Sequence, residues 1–337
     1  MNFWNNLNRP FFALAPMEDV TDTAFRELIM SISARGCLQV VFSEFTSVDG
    51  FLDYRGHDKV AERLVISDTE KTLLKERGIR IVAQIWGNEP EKFYKTAARI
   101  YQDYNFDGID INMGCPVKKI VKHNACSGLI GYPDLAGEII VATREGSPLP
   151  VSVKTRTGLK AHQTEAWIEN LLKAKPAAIT LHGRTQKQLS DGNASWEEIN
   201  KAVQVRNRLS PSTPIIGNGD IISYQDGLEH AARYNTDGIM VGTGIFKDPW
   251  LFNSETTPHL PLEKLRILLR HIDLFEKTRK TSKNYNILKR FFKIYVTGFP
   301  GASSIRDQLM HVSEPERFKE IINKAMNHIQ EDHTALD

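Results

Sequence analysis

Asp107-Gly108-Ile109-Asp110-Ile111-Asn112-Met113-Gly114-Cys115-Pro116 begins as a short alternating apolar segment of strand type and breaks at Gly114 and Pro116. The pattern delivers Cys115 to the point where a strand gives way to a loop, which is where α/β-barrel enzymes keep their chemistry. A lone free cysteine is ordinarily a small core residue. A thiol between Gly and Pro on a turn packs poorly as a core methyl and lies open to a ligand. Asn112, three residues earlier, adds an amide that both donates and accepts hydrogen bonds.

The same rhythm recurs on both sides of this stretch. From Phe11 to about Phe252, short apolar segments alternate with longer helical ones, the sign of βαβ units and a parallel sheet. Eight strands are expected, the number that closes a TIM (β/α)8 barrel: Phe12–Ala15, Val40–Glu44, Ile81–Ile85, Gly108–Asn112, Val151–Lys154, Ala178–His182, Pro214–Gly217 and Gly238–Val241. Their ends carry polar, small or glycine-rich residues: Pro16-Met17-Glu18, Glu44, Gln84, Asn112 with Cys115, Lys154 with Arg156, His182 with Arg184, Asn218-Gly219-Asp220 and Gly242-Thr243-Gly244. A doubly wound open sheet fits the alternation equally well. However, no GxGxxG follows the first strand, and polar groups at nearly every strand end favour a closed ring.

After Phe252 the character changes. Thr256-Thr257-Pro258-His259-Leu260-Pro261 reads as a linker, so the expected division is a barrel over 1–255 and a small helical domain over 256–337. Helical spacing covers Leu262–Thr281, Tyr285–Val296 and Glu314–Ile329. Gly298-Phe299-Pro300-Gly301 reads as a sharp turn, and Ser303-Ser304 as the cap of a short helix carrying Arg306.

With 337 residues, 41% apolar and 25% charged, the chain has the composition of a soluble globular protein. No apolar run approaches the roughly 18 residues that span a membrane. The apolar start Phe11–Met17 is short, interrupted by Pro16 and followed by Glu18 and Asp19, so neither a signal peptide nor an anchor is expected, and a cytoplasmic location is. Cys37, Cys115 and Cys126 form no CxxC pair and have no His at ligand spacing, which argues against a disulfide frame and a metal site. The net charge of +2 conceals an uneven distribution: residues 262–310 hold eleven Lys/Arg against four acids. That local excess suits a polyanionic partner.

Single site residues are weak signals, and their convergence is stronger. The glycines of Asn218-Gly219-Asp220 and Gly242-Thr243-Gly244 let backbone N–H groups approach a phosphate, although each pair alone is more often just a turn. Lys154 has an alternating apolar lead-in that brings its ammonium into the barrel mouth, where it would stabilise a ligand's negative charge or form a Schiff base. His182 taken singly is more often structural than catalytic.

Ala15-Pro16-Met17-Glu18-Asp19-Val20-Thr21-Asp22, Asp110-Ile111-Asn112-Met113-Gly114-Cys115-Pro116, Val153-Lys154-Thr155-Arg156, His182-Gly183-Arg184-Thr185 and Gly217-Asn218-Gly219-Asp220 resemble the motifs of tRNA-dihydrouridine synthases, in order and over nearly the whole chain. The resemblance implies an FMN barrel that uses NADPH, with NADH as the alternative, to reduce the C5–C6 double bond of a uridine in the tRNA D-loop. It implies Cys115 as the acid that protonates C5, a task open to a thiol with an ordinary pKa of about 8.5. By the same resemblance Pro16, Met17 and Glu18 line the flavin ring, Gln84 bonds its pyrimidine edge, Lys154 balances negative charge and His182 contacts the flavin. Asn218, Gly219, Asp220, Gly242 and Thr243 hold its ribityl and phosphate groups. Asn112 and Arg156 position cofactor and uracil, and Arg184 joins the substrate side. Lys119, with Lys118, Lys122 and His123, suits RNA phosphate contact, as do Lys289, Arg290, Lys293 and Arg306 in the helical region. A monomer is expected.

Two departures from that family's pattern stand out. Thr243 replaces an arginine, shifting phosphate binding toward backbone N–H groups. Ala125-Cys126-Ser127-Gly128 replaces a Gly-Ala or Gly-Ser loop, so Cys126 is either a second thiol near the site or a small packing residue, the latter being the preferred expectation. The competing readings are an FMN barrel acting on a free small molecule, which needs no basic helical appendage, and a non-catalytic RNA-binding protein, which needs neither Cys115 nor Lys154.

Overall fold

The computed structural model describes residues 2–255, 258–278 and 284–334. Eight parallel strands form its centre: β1 (Phe11–Leu14), β2 (Val40–Phe42), β3 (Arg80–Trp86), β4 (Gly108–Met113), β5 (Val151–Arg156), β6 (Ile179–His182), β7 (Ile215–Asn218) and β8 (Gly238–Val241). Each pairs with the next in chain order, and Phe11 opposite Gly238 joins β1 to β8, closing the ring. All eight expected strands are present, with ends moved by a residue or two. A two-residue strand, Thr46–Ser47, adds to β3.

Strand parity sorts the side chains. Phe12, Leu14, Val41, Ile81, Ile109, Ile111, Val153, Ile179, Leu181 and Ile239 face outward into the core shared with the surrounding helices. Phe11, Ala13, Val40, Phe42, Val82, Ile216 and Met240 face inward, where Phe3 and Trp4 of the N-terminal turn pack with them as a second, smaller core. Further along the same inward faces come Asp110 and Ser152 within their strands, and Gln84, Asn112, Lys154, His182 and Asn218 toward the C-terminal ends of theirs. The barrel interior is therefore apolar at one end and polar at the other, and the polar end is the one at which βα loops can assemble a site.

Side-chain caps fix where the helices start. Asp22 accepts from Phe25 N at 2.9 Å at the head of Thr23–Ile32, and Ser195 and Ser223 do the same for Trp196–Leu209 and Tyr224–Tyr234. Such a cap contributes about 1 kcal/mol.

The last third is helical: Pro261–Thr278, the tight turn Tyr285–Phe291 running into Phe292–Tyr295, then Ala302–Met310 and Pro315–Thr334. Gly298 and Gly301 sit at φ +81° and +80°, the left-handed backbone that makes the expected sharp turn. The helix carrying Arg306 begins at Ala302 with Gly301 at its cap position and no side-chain cap bond. Ser303 and Ser304 lie inside it, because the left-handed glycine starts the helix a residue earlier than expected. Thr256 and Thr257 of the expected linker, the end of Leu262–Thr281 beyond Thr278, and the cations Arg279, Lys280 and Lys283 lie outside the described residues.

This helical region shares the barrel's outer core. Phe25, fully buried, stacks on Phe291 at 5.1 Å and meets His271 at 5.6 Å. Leu265, Leu268, Ile272 and Phe275 belong to the same apolar cluster as the outward-facing strand residues.

Candidate active site

Cys115 is held by its neighbours before any ligand is considered. Asn112 Oδ1 accepts from the backbone N–H of Gly114 at 3.0 Å and of Cys115 at 2.9 Å, so the amide closes the turn that ends β4. The other end of that amide donates to Gln84 Oε1 at 3.0 Å. Gln84 Nε2 donates to Asp110 Oδ2 at 2.7 Å, and Ser152 Oγ donates to Asp110 Oδ1 at 2.6 Å. Sheet register explains the chain of bonds: Gln84 lies opposite Asp110, and Asp110 opposite Ser152, in one inward-facing layer. The network runs from the barrel interior to the backbone of Cys115, and its members lock one another.

The following loop closes over the cysteine. Ser127 Oγ donates to Cys115 O at 2.9 Å, and Cys126 in the same turn is fully buried at φ +52°. The half-buried Cys115 thiol is lowered to about 7, first by the hydrogen bond from the Cys126 thiol, with the Val117 N–H and Arg156 adding and burial and Glu18 opposing. Burial and the nearby Cys115 push Cys126 well up, so it keeps its proton. Cys126 thus sits fully buried in the turn whose Ser127 bonds the Cys115 carbonyl, a position nearer to the second-thiol alternative than to the preferred packing one.

Lys154 Nζ donates to Asn218 Oδ1 at 3.0 Å, and Asn218 Nδ2 donates to Met240 O at 2.8 Å. Burial, then Arg156, lowers Lys154 to about 8, leaving it a cation at neutral pH. His182 is driven far below its ordinary range by burial and by Lys154, Arg156 and Arg184. It is therefore neutral, and its Nε2 accepts from Arg184 at 3.2 Å. Burial raises Asp110 to about 6, against the hydrogen bonds from Ser152 and Gln84 and the charge of Lys154.

The remaining expected residues divide by what they touch. Pro16 is buried and Met17 half-buried at the end of β1. Glu18 turns to Arg63, whose Nε donates at 3.0 Å, while its Oε2 is buried with no hydrogen-bond partner among the described residues. Gly219, at φ +130°, brings the backbone so close to Ala194 that a Cβ would lie 2.5 Å from that residue's methyl. Asp220 grips Arg184 through both oxygens, at 2.7 and 2.8 Å, and accepts from Ala194 N. At the end of β8, a Cβ on Gly242 would meet nothing nearer than Ala15 Cβ at 3.8 Å, and Thr243 beside it is exposed.

The candidate RNA contacts separate more sharply. Arg156 is buried, bonding the carbonyls of Gly114, Thr185 and Leu189, and Arg184 is buried on Asp220 and Gly192. Both clamp the rim loops and do not reach outward. Lys119 is exposed in the short helix Lys118–Val121, along with Lys118, Lys122 and His123, and Lys293 is exposed in the helical region. Lys289 donates to Met310 O at 2.7 Å and the half-buried Arg306 to Val296 O at 2.6 Å. Arg290 reaches Glu18 O at 3.3 Å and Asp19 at 3.5 Å, joining the helical region to the loop after β1. Among residues not singled out from the sequence, Asp110, Ser152 and Arg63 belong to the site. Strand parity was the available signal for the first two, since each lies two residues before an expected site residue.

The family description "Dihydrouridine synthase (Dus)" matches residues 13–331 of this chain. The chain is 41% identical over 333 residues, 98% of each chain, to a "Probable tRNA-dihydrouridine synthase" of Staphylococcus aureus strain COL. It is 40% identical over 324 residues, 96% of each chain, to a "Probable tRNA-dihydrouridine synthase 2" of Bacillus subtilis strain 168. Among solved structures, morphinone reductase in complex with tetrahydroNAD aligns with a TM-score of 0.48 at 12% identity, covering 72% of this chain and 85% of that one. That likeness carries nothing about chemistry.

Proposed function

Because the chain belongs to the dihydrouridine synthase family, we propose that it is a tRNA-dihydrouridine synthase: a cytoplasmic oxidoreductase that reduces the C5–C6 bond of a D-loop uridine, with FMN bound and NADPH as reductant. The observation that carries the reading is Cys115, a half-buried thiol fixed at the polar end of a barrel by Asn112.

The rim residues fit a flavin mononucleotide in donor chemistry. The amides of Gln84, Asn112 and Asn218 each keep hydrogen-bonding capacity beyond the bonds described. Lys154 is a cation beside them, and the open approach at Gly242 with the exposed Thr243 hydroxyl suits a phosphate. A flavin held there by Gln84, Asn112, Lys154 and Asn218 would supply the hydride for the reduction. Cys115 supplies the proton for C5, its thiolate then regaining a proton from solvent. Lys154 offsets negative charge on the ligand, and Asn112 holds the turn so that the thiol stays in place. Arg156 and Arg184 keep the rim loops folded over the site.

In this reading residues 1–255 are the catalytic barrel and 256–337 the tRNA-binding region, with Lys119 and Lys293 meeting phosphates. A base inside a folded loop must be drawn out to reach the thiol, at a cost of a few kcal/mol. No helix among the described residues is long and apolar enough to cross a membrane, and no group of three or more His, Cys, Asp and Glu there could hold a metal ion. The test is incubation of the purified protein with unmodified tRNA, FMN and NADPH, followed by nucleoside mass spectrometry. A gain of two hydrogens on a D-loop uridine is expected, and unmodified tRNA after exhaustive incubation overturns the reading.

A further inference from the structure

Arg290 belongs to the helical region, yet its guanidinium is turned to the barrel. Nη1 donates to Glu18 O at 3.3 Å, and Nη2 lies 3.5 Å from Asp19 Oδ2. The next residue, Phe291, is buried against Phe25, which fixes the arginine's backbone beside the contact it makes. The two charged side chains are 40% and 35% exposed, and an ion pair in such a setting adds about 0–1 kcal/mol. Stability is therefore a poor reason for it. What Arg290 holds is the turn between β1 and the helix Thr23–Ile32. That turn starts beside the end of β8, where Ala15 N donates to Val241 O at 2.8 Å, and reaches the loop after β2, where Asp19 N donates to Glu44 Oε1 at 2.8 Å. Asp19 sits at φ +56°, a left-handed backbone that a residue with a Cβ keeps where its surroundings impose it. Met17 N donates to Thr21 Oγ1 at 2.9 Å and Met17 O accepts from Thr21 N at 3.0 Å, so the turn closes on itself and is set from outside as one piece. Glu44, Arg63 and Arg290 are three such outside holds, and of these three Arg290 comes from the helical region.

We propose that Arg290 is a positioning residue for the reaction and not a phosphate contact: it ties the turn carrying Met17 and Glu18 to the helical region, so that the mouth of the barrel takes its reactive shape only with that region in place. The proposal rests on the reading that a tRNA uridine is reduced at this mouth. The two roles open to Arg290 make opposite predictions. A phosphate contact acts on tRNA affinity and its salt dependence, whereas a residue that places the turn acts on the rate once tRNA is bound.

Two measurements on the full-length protein decide between them. The first sets tRNA binding, by filter binding at several salt concentrations, beside single-turnover dihydrouridine formation at saturating tRNA. Arg290→Ala is expected to keep the wild-type affinity and salt slope while the saturating rate falls by about tenfold. Arg290→Lys, which keeps a cation for Asp19 but lacks the forked donors, is expected to recover part of that rate. Asp19→Asn, which suits the left-handed backbone, is expected to slow the reaction alone and to add little to Arg290→Ala. The second is hydrogen exchange of a peptide spanning residues 17–22 without tRNA, which is expected to be faster in Arg290→Ala than in wild type. Weakened affinity with a salt slope lower by about one and an unchanged saturating rate overturns the proposal, by making Arg290 a phosphate contact. Fully additive losses in the double variant overturn it, as does unchanged exchange in Arg290→Ala. Wild-type protein that forms no dihydrouridine overturns the reading beneath the proposal, and exchange that still rises in Arg290→Ala then shows the failure to be that of the reading and not of the tie.

Discussion

Lys154 Nζ lies 3.0 Å from Asn218 Oδ1, a bond that joins β5 to β7 across the strand between them, β6. The ammonium is held by a neutral amide, so its charge is not cancelled by its partner and remains for a ligand. A hydrogen bond to a charged group is worth about 1.5–3 kcal/mol, so Lys154→Ala is expected to weaken FMN uptake by roughly ten- to a hundredfold. Lys154 titrates near 8, so wild-type affinity is expected to fall as pH rises through that value and the Ala variant to lack the step. Quenching of flavin fluorescence, titrated at several pH values, measures both.

Asp110 offers a stability test with a definite sign. Its folded value is raised to about 6 from 3.8, so the folded state holds a proton that the unfolded chain has released. Stability is therefore lost as pH rises from about 4 through 6, by about 2–3 kcal/mol in all. Asp110→Asn, which can still accept from Gln84 and meet the Ser152 hydroxyl, is expected to flatten that dependence. Urea midpoints at pH 5 and 7.5 compare the two proteins, and equal slopes would show that Asp110 stays ionised.

Phe25 joins the barrel to the helical region. Truncating this fully buried ring to Ala should cost about 3–5 kcal/mol. Because the apolar cluster is continuous across both regions, thermal unfolding of Phe25→Ala is expected to remain one transition at lower temperature. A new early transition confined to the helices would show that they fold apart from the barrel.

Much of this was legible in the chain itself. Eight strands, the polar rim and the helical tail follow from alternation and periodicity, because each signal is local. The commitments of the arginines are not local. Arg156 and Arg184 read as substrate-side cations at the strand ends, but loop carbonyls at Thr185, Leu189 and Gly192 fold back onto them, and a carbonyl leaves no mark in side-chain pattern. The Gln84–Asp110–Ser152 layer needed the sheet register, which joins residues far apart in sequence. Cys126 needed the loop's backbone geometry.

Exposure also separates the RNA candidates by expected phenotype. Lys119→Ala and Lys293→Ala should weaken tRNA binding and each reduce the salt slope of log affinity by about one, without changing stability. Arg306→Ala should instead lower stability by about 1–3 kcal/mol, since the Val296 carbonyl loses its donor. Filter binding from low to moderate salt, set beside urea unfolding, distinguishes the two classes.

The central claim is that the Cys115 thiol delivers the proton, and single-turnover dihydrouridine formation by Cys115→Ala tests it most directly. Flavin binding, tRNA binding and reduction by NADPH use no thiol, so all three are expected to survive, while dihydrouridine formation falls by about 10²- to 10⁴-fold. A Cys115→Ala protein that converts tRNA at the wild-type rate would contradict the account.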